Sequence, residues 1–202
     1  MTLAQSWESA AGLPPEVRAT LDGAGELRGL EPLLIVPEYK VALPGGRRES
    51  QTDVFVLGRR SDGLVAIAVE GKVDEPFGPT IGERSVGESP GVQQRLKFLV
   101  ECLGIEDVPP TVRYQLLHRT ASAVLAARQY FAKTAVMLVH SFSESDRWFD
   151  DFAAFAALWG AKPQVGELVE LRQCHDVRLW IGWCKGDQRF RRIAPSSPAG
   201  GA

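Results

Sequence analysis

The sequence predicts an α/β fold, a mixed central sheet flanked by helices, and three observations carry that prediction. Two short β-branched runs flank Arg60-Ser61-Asp62-Gly63, the pattern of a β-hairpin closed by an Asp-Gly turn. Val92, Leu96, Leu99, Val100 and Leu103 recur at helical spacing, which gives a helix one apolar face to set against the sheet. The compact run from Thr134 to His140 reads as a buried strand beyond the helices.

Each element follows from local chemistry. A helix starts near Pro14-Pro15 and stops at Gly23, with proline at its start and glycine at its end. A strand runs from about Leu33 to Leu43, and the hairpin follows with its runs Thr52 to Leu57 and Leu64 to Lys72. The stretch from Glu75 to Ser89, rich in Gly and Pro, is expected to be a loop bordering a substrate groove. Ser89 and Pro90 are the expected N-cap and first residue of the striped helix, which Gly104 ends. A helix from Thr111 to Ala132 precedes the buried strand, and an amphipathic helix from Ser145 to Trp159 follows it, stopped by Gly160. Val177 to Trp183 forms the last strand. A single domain over residues 1–193 is expected, with Ala194 to Ala202 a disordered tail too poor in apolar side chains to pack.

Composition narrows the function. At 202 residues and 45% hydrophobic content the chain suits one domain with a full core. A net charge of −2 and a pI near 6.0 count against a strong non-specific nucleic-acid binder. The basic groups Arg47-Arg48, Arg59-Arg60 and Arg189 to Arg192 read as solvated loop charges. Cys102, Cys174 and Cys184 are odd in number and give neither a disulfide framework nor the paired spacing of a zinc site. With no basic-then-apolar leader and no apolar run of about eighteen residues, a cytoplasmic protein is expected.

The hairpin carries the chemistry. If Ser61 and Asp62 form a two-residue turn, Arg60 pairs with Gly63 and Asp53 falls opposite Glu70. Opposed Cβ atoms in such a ladder lie about 4.5–5.5 Å apart, and residues two apart share a face, so Asp53, Glu70 and Lys72 cluster. A one-residue bulge at Gly63 would turn Asp53 away. Two close carboxylates in a half-buried sheet repel each other unless a cation neutralises them, and Mg²⁺, with Mn²⁺ as substitute, prefers such oxygens. The Gly71 carbonyl is a third ligand candidate, and Lys72 can hold or deprotonate an attacking water beside a phosphate. The plainer alternative is a same-face ion pair between Glu70 and Lys72 at a strand end.

Asp53 followed by Glu70-Gly71-Lys72 at the end of an apolar strand resembles the PD-(D/E)xK phosphodiesterase superfamily, whose fold is restriction-endonuclease-like. Thr52 stands where the superfamily usually has proline. The phrases Pro37-Glu38-Tyr39-Lys40, Leu43-Pro44-Gly45-Gly46, Glu75-Pro76-Phe77-Gly78 and Arg113 to Arg119 also resemble a poorly characterised bacterial family grouped with these nucleases. The resemblance implies a metal-dependent nuclease acting on DNA, with Asp53 and Glu70 binding Mg²⁺ and Lys72 catalytic. It also implies an active-site Gln, Lys or Arg on the helix after the Glu-x-Lys strand. Gln115, His118, Arg119 and Ser122 form one polar face there, so Gln115 and Arg119 are the expected substrate-binding residues, against a solvated face as the alternative.

Glu38, on the strand before the hairpin, is the expected additional metal ligand, preferred over Glu16 of the first helix. His118 and His140 read as structural. The competing function is a catalytically inactive module of the same fold that binds nucleic acid or a protein partner, and a homodimer is compatible with cutting both strands of a duplex. A Cys or Ser hydrolase is disfavoured because no nucleophile-elbow or phosphate-cradling glycine motif occurs.

Overall fold

A computed structural model describes residues 2–45, 48–85 and 89–192. Arg47 of the first basic pair and the Ala194 to Ala202 tail lie outside the described residues. Two helices, α1 (Thr2–Glu8) and α2 (Pro15–Gly23), precede an antiparallel meander of β1 (Glu31–Val41), β2 (Ser50–Arg60) and β3 (Gly63–Lys72). Three helices follow, α3 (Ile81–Ser85), α4 (Pro90–Leu103) and α5 (Tyr114–Gln129). The chain then runs through β4 (Thr134–Ser141), α6 (Phe149–Ala156), β5 (Leu168–Cys174) and β6 (Val177–Lys185). The six strands form one open mixed sheet in the order β1-β2-β3-β4-β6-β5. β3, β4 and β6 are parallel, and both edges are antiparallel.

The centre of the sheet is apolar on both faces because both faces are covered. Phe55, Ala66, Ala68, Met137 and Leu179 face the larger core under α4, α5 and α6. Val54, Val56, Ile67, Val136 and Leu138 face the smaller one, which holds Trp7 of α1 and Val17 and Leu21 of α2. α5 lies directly on β2, β3, β4 and β6. The stripe of α4 was expected on the sheet, but α4 leans mainly on α5, and only Leu99 and Leu103 of the five stripe residues are fully buried. Arg95 occupies the buried face of α4 and donates to the carbonyls of Pro44 and Leu43 at 2.9 and 3.1 Å, which ties α4 to the β1–β2 connection.

Several expected boundaries move, each for a local reason. The first strand begins two residues earlier and ends two earlier than expected, and Leu33 and Leu34 are 51% and 43% exposed because β1 is an edge. Asp146 and Trp148 adopt left-handed backbone, φ 51° and 70°, so α6 starts at Phe149 instead of Ser145. Ser89 stands at the N-cap of α4 without a side-chain capping hydrogen bond, whereas Gly104 takes the left-handed conformation, φ 60°, that ends the helix. Three elements carried no sequence expectation. α1 is a two-turn helix, α3 interrupts the expected Glu75 to Ser89 loop, and β5 is a polar edge strand with a bulge between Glu170 and Arg172.

Candidate active site

Ser61 and Asp62 form the hairpin turn, and β2 pairs with β3 from Arg60↔Gly63 to Val54↔Val69 without a bulge. The regular pairing ends at Val54↔Val69, one step short of Asp53 and Glu70. There the two strands part. The Gly71 amide donates to Asp53 Oδ2 at 2.7 Å, and the Thr52 hydroxyl donates to the Val69 carbonyl at 3.0 Å. The side chains of residues 52 and 53 thus take up backbone groups where the regular ladder ends.

Glu70 and Lys72 are each 4% exposed. Lys72 Nζ donates to Glu70 Oε1 at 3.0 Å and to Gln115 Oε1 at 3.2 Å, and it stands 5.0 Å above the Phe77 ring. Gln115 Nε2 donates to Glu70 Oε1 and Arg119 Nε to Glu70 Oε2, both at 2.5 Å. The polar face of α5 is therefore not a solvated one. It is folded onto the end of β3, and Ser122 turns inward to its own helix, donating to the His118 carbonyl at 2.6 Å. Burying a lone carboxylate here would be costly, and two cations offset that cost.

Asp53 is compensated only in part. Burial and the neighbouring Glu70 charge raise its pKa from 3.8 to about 6, against smaller opposing effects of the Gly71 N–H, Arg119 and Lys72. The folded state therefore binds more protons than the unfolded chain between pH 3.8 and about 6. The resulting penalty is absent at low pH, grows through this window and is full above it. Asp53→Asn, which keeps an acceptor for the Gly71 amide, is expected to be more stable than wild type by roughly 1–2 kcal/mol at pH 8 without divalent ions, after allowance for partial exposure. At pH 4 the two should coincide in urea unfolding, and an equal gap at both pH values would exclude a charged Asp53 as its cause.

Lys72 forms a wall common to two clefts. The first, about 520 Å³, also holds Asp53, Gly71, Glu38, Glu8 and Glu75, with α1 on its far side. Four carboxylates thus face one ammonium, an electrostatic setting for a cation. Gly71 makes this geometry possible, because a Cβ there would meet Leu3 Cδ2 at 2.9 Å. Glu38 is exposed and left-handed, φ 55°, and it sits between Pro37↔Val54 and Tyr39↔Thr52 in the β1–β2 register, beside Asp53. Left-handed backbone at a non-glycine residue is strained and clusters at functional positions.

The second cleft, about 420 Å³, is basic. Arg84, Arg95 and Lys72 line it with Tyr114, His118 and Ser50. Arg119 Nη1 donates to Ser50 Oγ at 3.2 Å, and Ser50 Oγ lies 3.0 Å from His118 Nδ1. Burial, followed by Arg119, Arg84, Arg95 and Lys72, lowers the His118 pKa from 6.5 to about 3. A histidine that resists protonation this strongly is a poor general base, so Ser50 with His118 does not amount to a nucleophile pair. Burial likewise pushes the Cys102 and Cys184 thiols up to about 11 and about 12, away from thiolate chemistry.

Among the described residues no three His, Cys, Asp or Glu side chains form a metal cage by themselves. The fit of a divalent ion therefore rests on the acceptor count at the hairpin end. Asp53 Oδ2 takes one N–H, and three donors reach Glu70. A carboxylate has about four acceptor positions, so Oδ1 of Asp53 and one position on Glu70 Oε2 stay open. Those oxygens, with Glu38 and the Gly71 carbonyl nearby, suit an ion that keeps several of its waters.

Of the residues predicted from sequence, Glu70, Lys72, Gln115 and Arg119 meet in one hydrogen-bonded cluster, with Asp53 against it, while Glu38 and Gly71 share the acidic cleft. Glu16 is engaged elsewhere. It accepts from Ser6 and from the Asp187 amide and pairs with His140 Nε2 at 3.1 Å, and Trp7 Nε1 donates to His140 Nδ1. His140 is thus a structural histidine, fully buried. Arg84, Arg95 and Tyr114 were missed. Arg95 left a trace, since an arginine at position 95 interrupts the apolar stripe on its buried side, but nothing local marks Arg84, whose guanidinium lies 4.2 Å from the Tyr114 ring centre.

Residues 1–188 match the family described as Domain of unknown function (DUF6946). No curated protein and no solved structure matches the chain. No helix among the described residues is long and apolar enough to cross a membrane.

Proposed function

The chain belongs to the DUF6946 family, and from its own geometry we propose that it is a divalent-metal-dependent phosphodiesterase of restriction-endonuclease-like fold, acting on DNA. The observation that carries this reading is the hairpin end. Asp53 is held beside Glu70 with its charge only partly compensated, and Lys72 stands between an acidic and a basic cleft. The meander followed by helices and a parallel fourth strand supports the fold assignment.

In this reading Asp53, Glu70, Glu38 and the Gly71 carbonyl would hold Mg²⁺ or Mn²⁺, and the ion would supply a water of lowered pKa and Lewis-acid stabilisation of the phosphate. Lys72 orients the attacking water and stabilises charge on the phosphate oxygens. Gln115 fixes the Lys72 ammonium through its Oε1 and the Glu70 carboxylate through its Nε2, so the two functional groups keep one geometry. Arg119 anchors Glu70 and reaches Ser50 at the basic cleft.

Calorimetric titration tests the reading. Wild type should bind Mn²⁺ or Mg²⁺ with proton release near pH 6, and Asp53→Asn should not bind. Binding should be accompanied by divalent-dependent cleavage of single- or double-stranded DNA, abolished by chelation. Equal metal binding by both proteins would exclude Asp53 as a ligand.

One observation favours the competing reading, a non-catalytic module of the same fold. Lys72 and Arg119 already neutralise Glu70, so that part of the cluster is complete as a structural ion pair. A protein that binds neither ion and cleaves nothing fits the module.

A further inference from the structure

The basic cleft lies at the start of β2 and the end of β3, walled by α3, α4 and α5, and among the described residues its charged lining is Arg84, Arg95 and the Glu70-paired Lys72, with the carboxylate of Glu49. Part of its donor set has no acceptor among the described residues. Tyr114 is 7% exposed, yet its hydroxyl is buried without a hydrogen-bond partner among the described residues, and so is Arg84 Nε. Arg95, 9% exposed, uses Nε and Nη2 on the Pro44 and Leu43 carbonyls, and its Nη1 has no hydrogen-bond partner among the described residues. The Ser50 oxygen accepts from Arg119 and lies 3.0 Å from His118 Nδ1, and the His118 ring lines the same cleft.

Buried donors are almost always satisfied, and a cluster left without acceptors in a cationic cleft calls for an acceptor-rich anion. A phosphate monoester presents three terminal oxygens and close to two negative charges, whereas an internucleotide phosphate presents two and one. Two guanidiniums with spare N–H groups, beside the Tyr114 hydroxyl, suit the former. We infer that this cleft binds a phosphate monoester, the phosphorylated end of a nucleic-acid strand, seated on Arg84, Arg95, Tyr114 and His118. The assignment to a strand end rests on the phosphodiesterase reading. It makes the protein one that works from strand termini, with Lys72 separating the bound end from the metal cleft.

The test begins with inorganic phosphate, titrated calorimetrically without divalent ions into wild type, Tyr114→Phe, Arg84→Gln and Asp53→Asn. Wild type and Asp53→Asn should bind alike, and Tyr114→Phe and Arg84→Gln should each weaken binding tenfold or more. Tyr114→Phe should melt no lower than wild type, because it removes a buried donor with nothing to pair with. No binding, or equal binding by all four proteins, overturns the inference. Oligonucleotides of one sequence ending in a 5′-phosphate, a 3′-phosphate or hydroxyls identify the source. At least tenfold preference for one phosphorylated end is expected, and equal affinity for all three overturns the strand-end assignment. No arm depends on cleavage, so Asp53→Asn losing metal but keeping phosphate separates the two sites.

Discussion

Replacing Lys72 with alanine is expected to lower divalent-dependent phosphodiester cleavage by about 10²–10³-fold or more, the usual cost of deleting one preorganised group that stabilises developing charge. Two neighbouring guanidiniums are held by other partners. Arg119 is committed to Glu70 and Ser50, and Arg95 to the carbonyls of the β1–β2 connection. Lys72→Arg should not restore activity, since a planar guanidinium does not reproduce the compact ammonium that bonds Glu70 and Gln115. Single-turnover cleavage at saturating Mn²⁺, with DNA binding measured in parallel, separates loss of chemistry from loss of affinity. Equal rates in wild type and Lys72→Ala would remove Lys72 from the mechanism.

Replacing Glu70 with alanine is expected to cost roughly 3–5 kcal/mol of folding stability, because it removes the carboxylate to which two buried cations are hydrogen-bonded. The side chains of Glu70 and Lys72 are both 5% exposed and that of Arg119 is 12% exposed, so water cannot take over. Glu70→Gln keeps the acceptor for Gln115 but not the charge and should fall between alanine and wild type. Replacing the whole cluster, Glu70→Met with Lys72→Leu and Arg119→Leu, should recover most of the loss, since a buried ion network is worth little more than apolar side chains of similar volume. Urea unfolding at pH 7 measures all three. A loss under about 1 kcal/mol for Glu70→Ala would mean that the cluster is more solvated than its burial indicates.

Much of the fold was legible because the signals were local. The Asp-Gly turn fixes Arg60 against Gly63, and the period-2 geometry of strands then carries Asp53 to Glu70 with no tertiary information. Gly104 stops α4, and Gly160 stops the 3-10 turn Ala157–Trp159 that continues α6, through left-handed backbone that glycine adopts without cost. The failures are equally physical. β5 is seven residues at a sheet edge, stabilised by pairing with β6 instead of by its own polar sequence. α3 is a five-residue helix whose position depends on Val112 and Pro110, whose carbonyls accept from Ile81 and Gly82.

The candidate site divides the same way. Asp53, Glu70, Lys72, Gln115 and Arg119 could be proposed from spacing because strand and helix periods place side chains on faces before any contact is made. The strain at Glu38, the neutralisation of Glu70 by Lys72 and Arg119, the raised pKa of Asp53 and the basic cleft could not, since each depends on how far apart side chains from different elements come to rest. The sequence by itself determined a hairpin that brings two acids together beside a lysine, through backbone geometry that repeats every two residues. Only the tertiary structure decided which acid is neutralised and which is left charged, because that depends on α5 lying across β3 and on α1 walling the acidic cleft. Both are long-range packing outcomes, and burial and Coulomb interactions act through distances that no local pattern encodes.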